Sequence, residues 1–220
     1  MLSLATDFRG DYSDSLMAAA GPGRWNDPDM LLIGANVTSQ PEIRSVPPVS
    51  TTTPCLTVAE EKTQMAIWAV TASPLIMGND VRALRDASRA ILLNTDAIAV
   101  DQDPLGKPGG RLQEYNSSSP MQVWVRELSR SQETGRSRAA VVLYHKGPPE
   151  HPLPKPPRTA LSPAAPADLR LDFAQVPRCG KGATVDVRDV WTGETHYRLT
   201  GGYVAKQVPL HGSAFLTLEW

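Results

Sequence analysis

The chain has no surplus of positive charge. Its 220 residues carry 22 Lys and Arg against 23 Asp and Glu, a formal net charge of -1. No run of Lys or Arg with interleaved aromatics compensates locally, so nothing in the sequence makes an electrostatic case for a nucleic-acid partner. Long apolar runs are missing as well, and none approaches the roughly 18 residues of a membrane span. The opening stretch "MLSLATDFRGDY" lacks both the basic and the apolar region of a secretion signal. Cysteine is scarce: Cys55 and Cys179 lie far apart, which excludes a dense disulfide framework and favours two unpaired thiols. His145, His151, His196 and His211 are scattered without metal-ligand spacing, so neither a metal nor a cofactor is expected.

With 41% hydrophobic residues, the chain can bury a full core. Its texture changes midway. Over residues 1–108 apolar runs alternate with helical patterns: "MLLIG" (30–34) and "PLIMGND" (74–80) read as buried strands, and "VAEEKTQMAIWAVTAS" (58–73) reads as a helix burying Met65, Trp68, Ala69 and Ala72. A second helix is expected in "RALRDASRAILLN", with Leu84, Ser88, Ile91 and Leu92 inward. Strand, helix, strand, helix implies parallel strands. Between them, the Pro/Ser/Thr-rich residues 36–55 suit an inserted loop. Over residues 111–220, "MQVWVREL", "AAVVLYHKG", "ATVDVRDVW", "HYRLT" and "SAFLTLEW" alternate with period two, as antiparallel strands of a small sandwich do. Residues 147–166 are too rich in proline to continue a sheet and are expected to form an excursion. Asn36 and Asn116 begin glycosylation triplets, which matter only if the chain enters a secretory route.

The densest cluster of special residues is "GPGRWNDPDMLLIG" (21–34). In a β/α barrel, carboxylates at the carboxyl ends of parallel strands converge on one face. Asp29 precedes the apolar strand pattern or lies within it, and a carboxylate so near a core needs hydrogen-bond partners. Trp25 offers a flat apolar face of the kind that packs against a sugar ring. On spacing alone a turn is the simpler reading, since "NDPD" allows Asn26 and Asp27 to bond to nearby backbone amides while Pro28 fixes the bend.

"AGPGRWNDPDMLLIG" resembles the "GPGxWNDPDML" signature of the α-galactosidase and α-N-acetylgalactosaminidase family, glycoside hydrolase family 27. "QMAIWAVTASPLIMGNDVRAL" is similar to the family's passage from a barrel helix into the last barrel strand. "ILLNTDAIAVDQDPLGKPG" resembles its "NxxVIAINQDPLGxQG" segment, and "AAVVLYHKG", "VDVRDVWTGE" and "VPLHGSAFLTLEW" are similar to its closing β-sandwich. The resemblance implies the C-terminal part of a (β/α)8 barrel, its last two or three βα units, followed by an antiparallel β-sandwich domain.

The function implied is that of a retaining glycosidase removing terminal α-linked galactose from oligosaccharides or glycoconjugates. Retention requires two carboxyl groups about 5 Å apart. The family's nucleophile, in a "KxDxC"-like context, has no counterpart here, so the resemblance leaves two readings: the C-terminal part of such an enzyme, inactive by itself, or a non-catalytic remnant acting as a carbohydrate- or partner-binding module. For the acid/base, Asp7 of "LSLATDFRGDY" is the preferred match, with Phe8 after it and Tyr12 five residues on; the rival register "GDYSDS" gives the role to Asp11. Asp29 matches the family's sugar-contacting aspartate and Met30 its neighbour in the same pocket, whereas Asp27 and Trp25 match structural positions. Trp68 and Met65 are expected in the core, and "DQDPLG" (101–106) is expected to be the tight exit from the barrel, with Asp103 bonding back to amides. The expected partner is an α-galactoside, with no nucleic acid and no membrane. An incomplete barrel leaves strand edges and apolar faces uncovered, so self-association is expected. Choice between galactose and N-acetylgalactosamine stays open, as does the compartment: lysosomal, vacuolar and secreted members all exist.

Overall fold

The computed structural model describes residues 13–36, 54–115, 118–147 and 165–220. Asp7 and Asp11, and most of the two Pro-rich stretches, lie outside the described residues. Among the described residues four helices, α1 (Ser13–Ala19), α2 (Val58–Val70), α3 (Asp86–Leu92) and α4 (Thr95–Asp101), precede eight strands. The strands are β1 (Gly110–Arg111), β2 (Met121–Leu128), β3 (Arg138–His145), β4 (Ala167–Asp172), β5 (Thr184–Asp189), β6 (Thr195–Thr200), β7 (Gly202–Val208) and β8 (Ser213–Glu219). Among the described residues no helix is long and apolar enough to cross a membrane.

Helix α2 starts on a reciprocal cap: the Thr57 hydroxyl accepts the Glu60 N–H at 3.3 Å and the Glu60 carboxylate accepts the Thr57 N–H at 2.8 Å. It ends at Val70, three residues earlier than the sequence pattern suggests, where the Thr71 hydroxyl bonds the Ile67 carbonyl at 2.7 Å. The second expected helix is broken. A 3-10 turn (Val81–Ala83) and α3 are separated by Leu84 and Arg85 in extended conformation. Ser88 and Ile91 are buried as expected, whereas Leu84 and Leu92 are only half-buried. The two expected barrel strands contract to one parallel bridge, in which the Leu31 N–H donates to Ile76 at 2.8 Å and the Gly78 N–H to Leu31 at 2.9 Å.

The sandwich has a six-stranded antiparallel sheet, ordered β1-β2-β3-β8-β5-β6, faced by the pair β4-β7. β2 and β3 are buried along almost their whole length, although their chemistry alternates. Both faces are covered. Trp124, Ala140, Val142 and Phe215 pack with Met65, Ala69, Ile91 and Val100 on the helical side. Val123, Val125, Val141, Leu143 and Leu216 pack with Leu169, Leu171 and Ala205 on the other. Helices α1 and α4 and strands β1, β4 and β7 are additions to the sequence reading. Cys55 and Cys179 are buried thiols that are not joined in a disulfide.

The helical layer is fastened to the sheet by Arg126, 1% exposed. Its Nη1 donates to the carbonyls of Ala69 at 2.7 Å and Asp101 at 3.1 Å, the C-terminal ends of α2 and α4. The neighbouring Asp103 carboxylate accepts from the Leu105 and Ser129 amides at 3.0 and 2.8 Å, so the expected tight exit also reaches the loop after β2. Asp101 is the weak point. Its Oδ1 and the Arg126 Nε are buried without hydrogen-bond partners among the described residues. Burial pushes the Asp101 carboxyl up from 3.8 to about 6, against the opposing pull of the Gln102 amide and the Arg126 charge.

A raised carboxyl pKa means that the folded state binds the proton more tightly than the unfolded chain. Stability contributed by protonated Asp101 is therefore full below pH 4, is lost as pH rises to 6, and is level above, a span of about 3 kcal/mol. Urea unfolding of the Asp101→Asn variant at pH 4, 5, 6 and 7 is expected to flatten this slope and to show the variant more stable than the parent at pH 7.

Candidate functional site

Residues 21–34 are shaped by their own polar groups before the rest of the molecule touches them. Gly21 and Arg24 exchange backbone hydrogen bonds at 3.0 and 2.9 Å around Gly23, whose φ is +81°. The Asp27 carboxylate accepts the Asp29 N–H at 2.9 Å, the Asx turn expected of "NDPD". Asn26 behaves differently from the sequence reading: its side-chain amide donates to the Leu16 carbonyl at 2.7 Å, tying the loop to α1.

The next residue is strained. Asp29 has φ +80°, a left-handed conformation in which a Cβ crowds the backbone. Its Oδ1 accepts the Met30 N–H at 2.7 Å, and its carbonyl accepts the Trp68 indole N–H at 3.1 Å. Oδ2 has no protein partner among the described residues, and the side chain is exposed. Met30 is 43% exposed beside it and Trp25 is 39% exposed. Asp29 stands two positions ahead of the Leu31–Met77 bridge, on the amino side of the paired residues rather than at their carboxyl end. The left-handed turn, not a strand terminus, brings its carboxylate to the surface. Gly78 guards the Met30 position, because a Cβ there would lie 2.9 Å from the Met30 Cβ.

Helix α2 supplies the support that the sequence reading missed. The Gln64 side chain accepts the Leu32 N–H at 2.8 Å and donates to the Met30 carbonyl at 3.3 Å, pairing with the 30–32 backbone as a neighbouring strand would. Glu61, with no exposed surface, accepts the Gly34 N–H and the Ser88 hydroxyl, both at 2.9 Å, and pairs with Arg85 at 2.5 Å. Asn79 donates to the Ile33 carbonyl. The available signal was the polar run "EEKTQ" opening an otherwise apolar helix, which is easily mistaken for a solvated face. Trp68 is core, as expected, and its indole N–H is also a fastening for Asp29. Among the described residues no group of His, Cys, Asp or Glu has the arrangement of a metal site.

Strain at Asp29 makes its cost measurable. Replacing Asp29 by Gly relieves the left-handed conformation, and replacing it by Ala retains it, while both remove the carboxylate. The Gly variant is expected to be the more stable of the two by about 1 kcal/mol in urea unfolding. Equal stabilities would mean that the turn carries no strain.

Two family descriptions match the chain: that of alpha galactosidase A over residues 2–46 and 51–103, and that of the alpha galactosidase C-terminal beta sandwich domain over residues 118–218. The α-galactosidase of Oryza sativa subsp. japonica is 37% identical over 138 residues, which are 63% of this chain and 27% of that protein. The α-N-acetylgalactosaminidase of Homo sapiens is 38% identical over 119 residues, 54% of this chain and 24% of that protein. A putative α-galactosidase/melibiase from Bacteroides fragilis superimposes with a TM-score of 0.69 at 25% identity, over 98% of this chain and 38% of that one. The chain thus spans about a quarter to two fifths of the length of such relatives. With its partial barrel, its closing sandwich and both matching descriptions in the same order, the chain belongs to the α-galactosidase and α-N-acetylgalactosaminidase family of glycoside hydrolases.

Proposed function

We propose that the chain carries the sugar-orienting part of a retaining α-galactosidase site and lacks the attacking part. The observation that carries this reading is Asp29: a left-handed, strained aspartate, fixed through its N–H, one carboxylate oxygen and its carbonyl, with the second oxygen open to solvent. Strain of this kind persists where surrounding structure over-determines it, and it concentrates at ligand-binding sites. In this reading Oδ2 accepts a galactose hydroxyl and Met30 lines the same pocket. Asp7, or Asp11 in the alternative register, protonates the leaving oxygen and then activates water. Displacement with retention still needs a second carboxylate about 5 Å from the first, on the opposite side of the anomeric carbon. No "KxDxC"-like segment provides it. The substrate class is a terminal α-linked galactose on an oligosaccharide or glycoconjugate, and catalysis requires the nucleophile to come from barrel strands outside this chain.

The purified chain is therefore expected to bind methyl α-galactoside weakly, with binding lost in Asp29→Ala, and to show no turnover of an aryl α-galactoside. Turnover abolished by Asp7→Asn would overturn the claim that the chain lacks its nucleophile. Equal binding of methyl α-glucoside would overturn the assignment of Asp29 to galactose.

A further inference from the structure

A cleft of about 520 Å³ opens where β1, β2 and β3 meet the loop before β5, and neither Asp29 nor Met30 lines it. That volume lies in the range of small-ligand sites. Its charge does not follow from the composition of a chain with net charge -1. Five cationic side chains line it, Lys107, Arg111, Arg130, Arg138 and Arg178, against one acidic side chain, Glu127. Glu127 is already committed twice, to Lys107 at 3.1 Å and to Arg178. Among the described residues Arg130 donates to the Gly135 carbonyl, at 2.9 Å, and neither it nor Arg138 meets a carboxylate.

One wall is aromatic. Trp220 borders the cleft, and its orientation is fixed by the indole N–H, which donates to the Arg178 carbonyl at 3.1 Å. Leu112, Val125 and Leu128 add apolar surface. An excess of guanidinium groups suits planar oxyanions, which they bind with two parallel hydrogen bonds. An indole flanked by apolar side chains suits the apolar face of a sugar ring. The two features together describe one ligand class.

We propose that this cleft is a binding site for an acidic oligosaccharide, one whose rings carry carboxylate or sulfate groups, independent of the galactoside site proposed above. It would hold a charged glycan on the β-sandwich through its acid groups while leaving the barrel face free.

The test is titration of the full chain, followed by the Trp220 indole N–H resonance. The probes are digalacturonate, a sulfated galactose disaccharide, neutral digalactose, and sodium sulfate at matched ionic strength. Saturable shifts with either acidic disaccharide, and none with neutral digalactose, are expected; which acidic probe binds identifies the acid group. Replacing Arg130 and Arg138 together by Ala, positions with exposed or half-buried side chains, should weaken that binding at least about tenfold. Asp29→Ala should leave it unchanged, so that failure at the galactoside site and failure here are separable. The proposal is overturned by absence of saturable binding of both acidic probes, by equal binding of the neutral disaccharide, by full competition from sulfate at equal concentration, or by wild-type affinity in the double variant.

Discussion

Helix α2 is buried on every side from Glu60 to Val70, apart from Lys62, and it begins with polar residues. Burying such groups without partners costs on the order of 1–3 kcal/mol each. The fold answers by giving each of them a neighbouring element. Gln64 and Glu61 take the backbone of residues 30–34, and the Thr63 hydroxyl bonds the His211 carbonyl at 2.9 Å and the Ser213 hydroxyl at 3.0 Å, at the start of β8. The helix that links two barrel segments in the chain thereby also links them to the sandwich. The Glu61–Arg85 pair illustrates the stake: loss of Arg85 would leave the fully buried Glu61 carboxylate without its counter-charge, held only by the Gly34 amide and the Ser88 hydroxyl.

This brace explains how an incomplete set of parallel segments keeps its shape. Among the described residues, 30–34 share a single backbone bridge with the next segment, beside the Asn79 side-chain contact to the Ile33 carbonyl. Side chains of α2 satisfy the amides and carbonyls that a flanking strand would otherwise take, so the backbone ahead of the bridge is held firmly enough to sustain a strained residue. Asp29 is the beneficiary. Its geometry is imposed from two directions, locally by Asp27 and at long range by Trp68.

The second join runs through Arg126. Its guanidinium sits at the C-terminal ends of two helices, where carbonyl groups accumulate partial negative charge, and it holds them to β2. Asp101 shares that buried space and is the group that makes the join sensitive to pH. Where the family segment quoted above reads "NQDPLG", this chain reads "DQDPLG", so a titratable group replaces a neutral amide at the layer boundary. Helical and sheet layers are thus coupled by polar contacts as well as by apolar packing.

Much of this was legible in the chain itself. Period-two alternation located five strands of the sandwich, since each strand face is read by every second side chain. The "NDPD" turn was legible because Asp27 reaches only two residues ahead, and Asp29 stood out because a carboxylate beside an apolar run is costly. What alternation could not reveal was that β2 and β3 are covered on both faces, because burial of the second face depends on helices distant in sequence. Gln64, Glu61 and Arg126 were unreadable for the same reason. Their partners lie 24 to 57 residues away, and a polar side chain in a helix or strand looks the same whether it meets water or another backbone. Local sequence determined the turn and the strands; only tertiary contact decided which polar groups are structural, and it leaves the second carboxylate oxygen of Asp29 facing solvent.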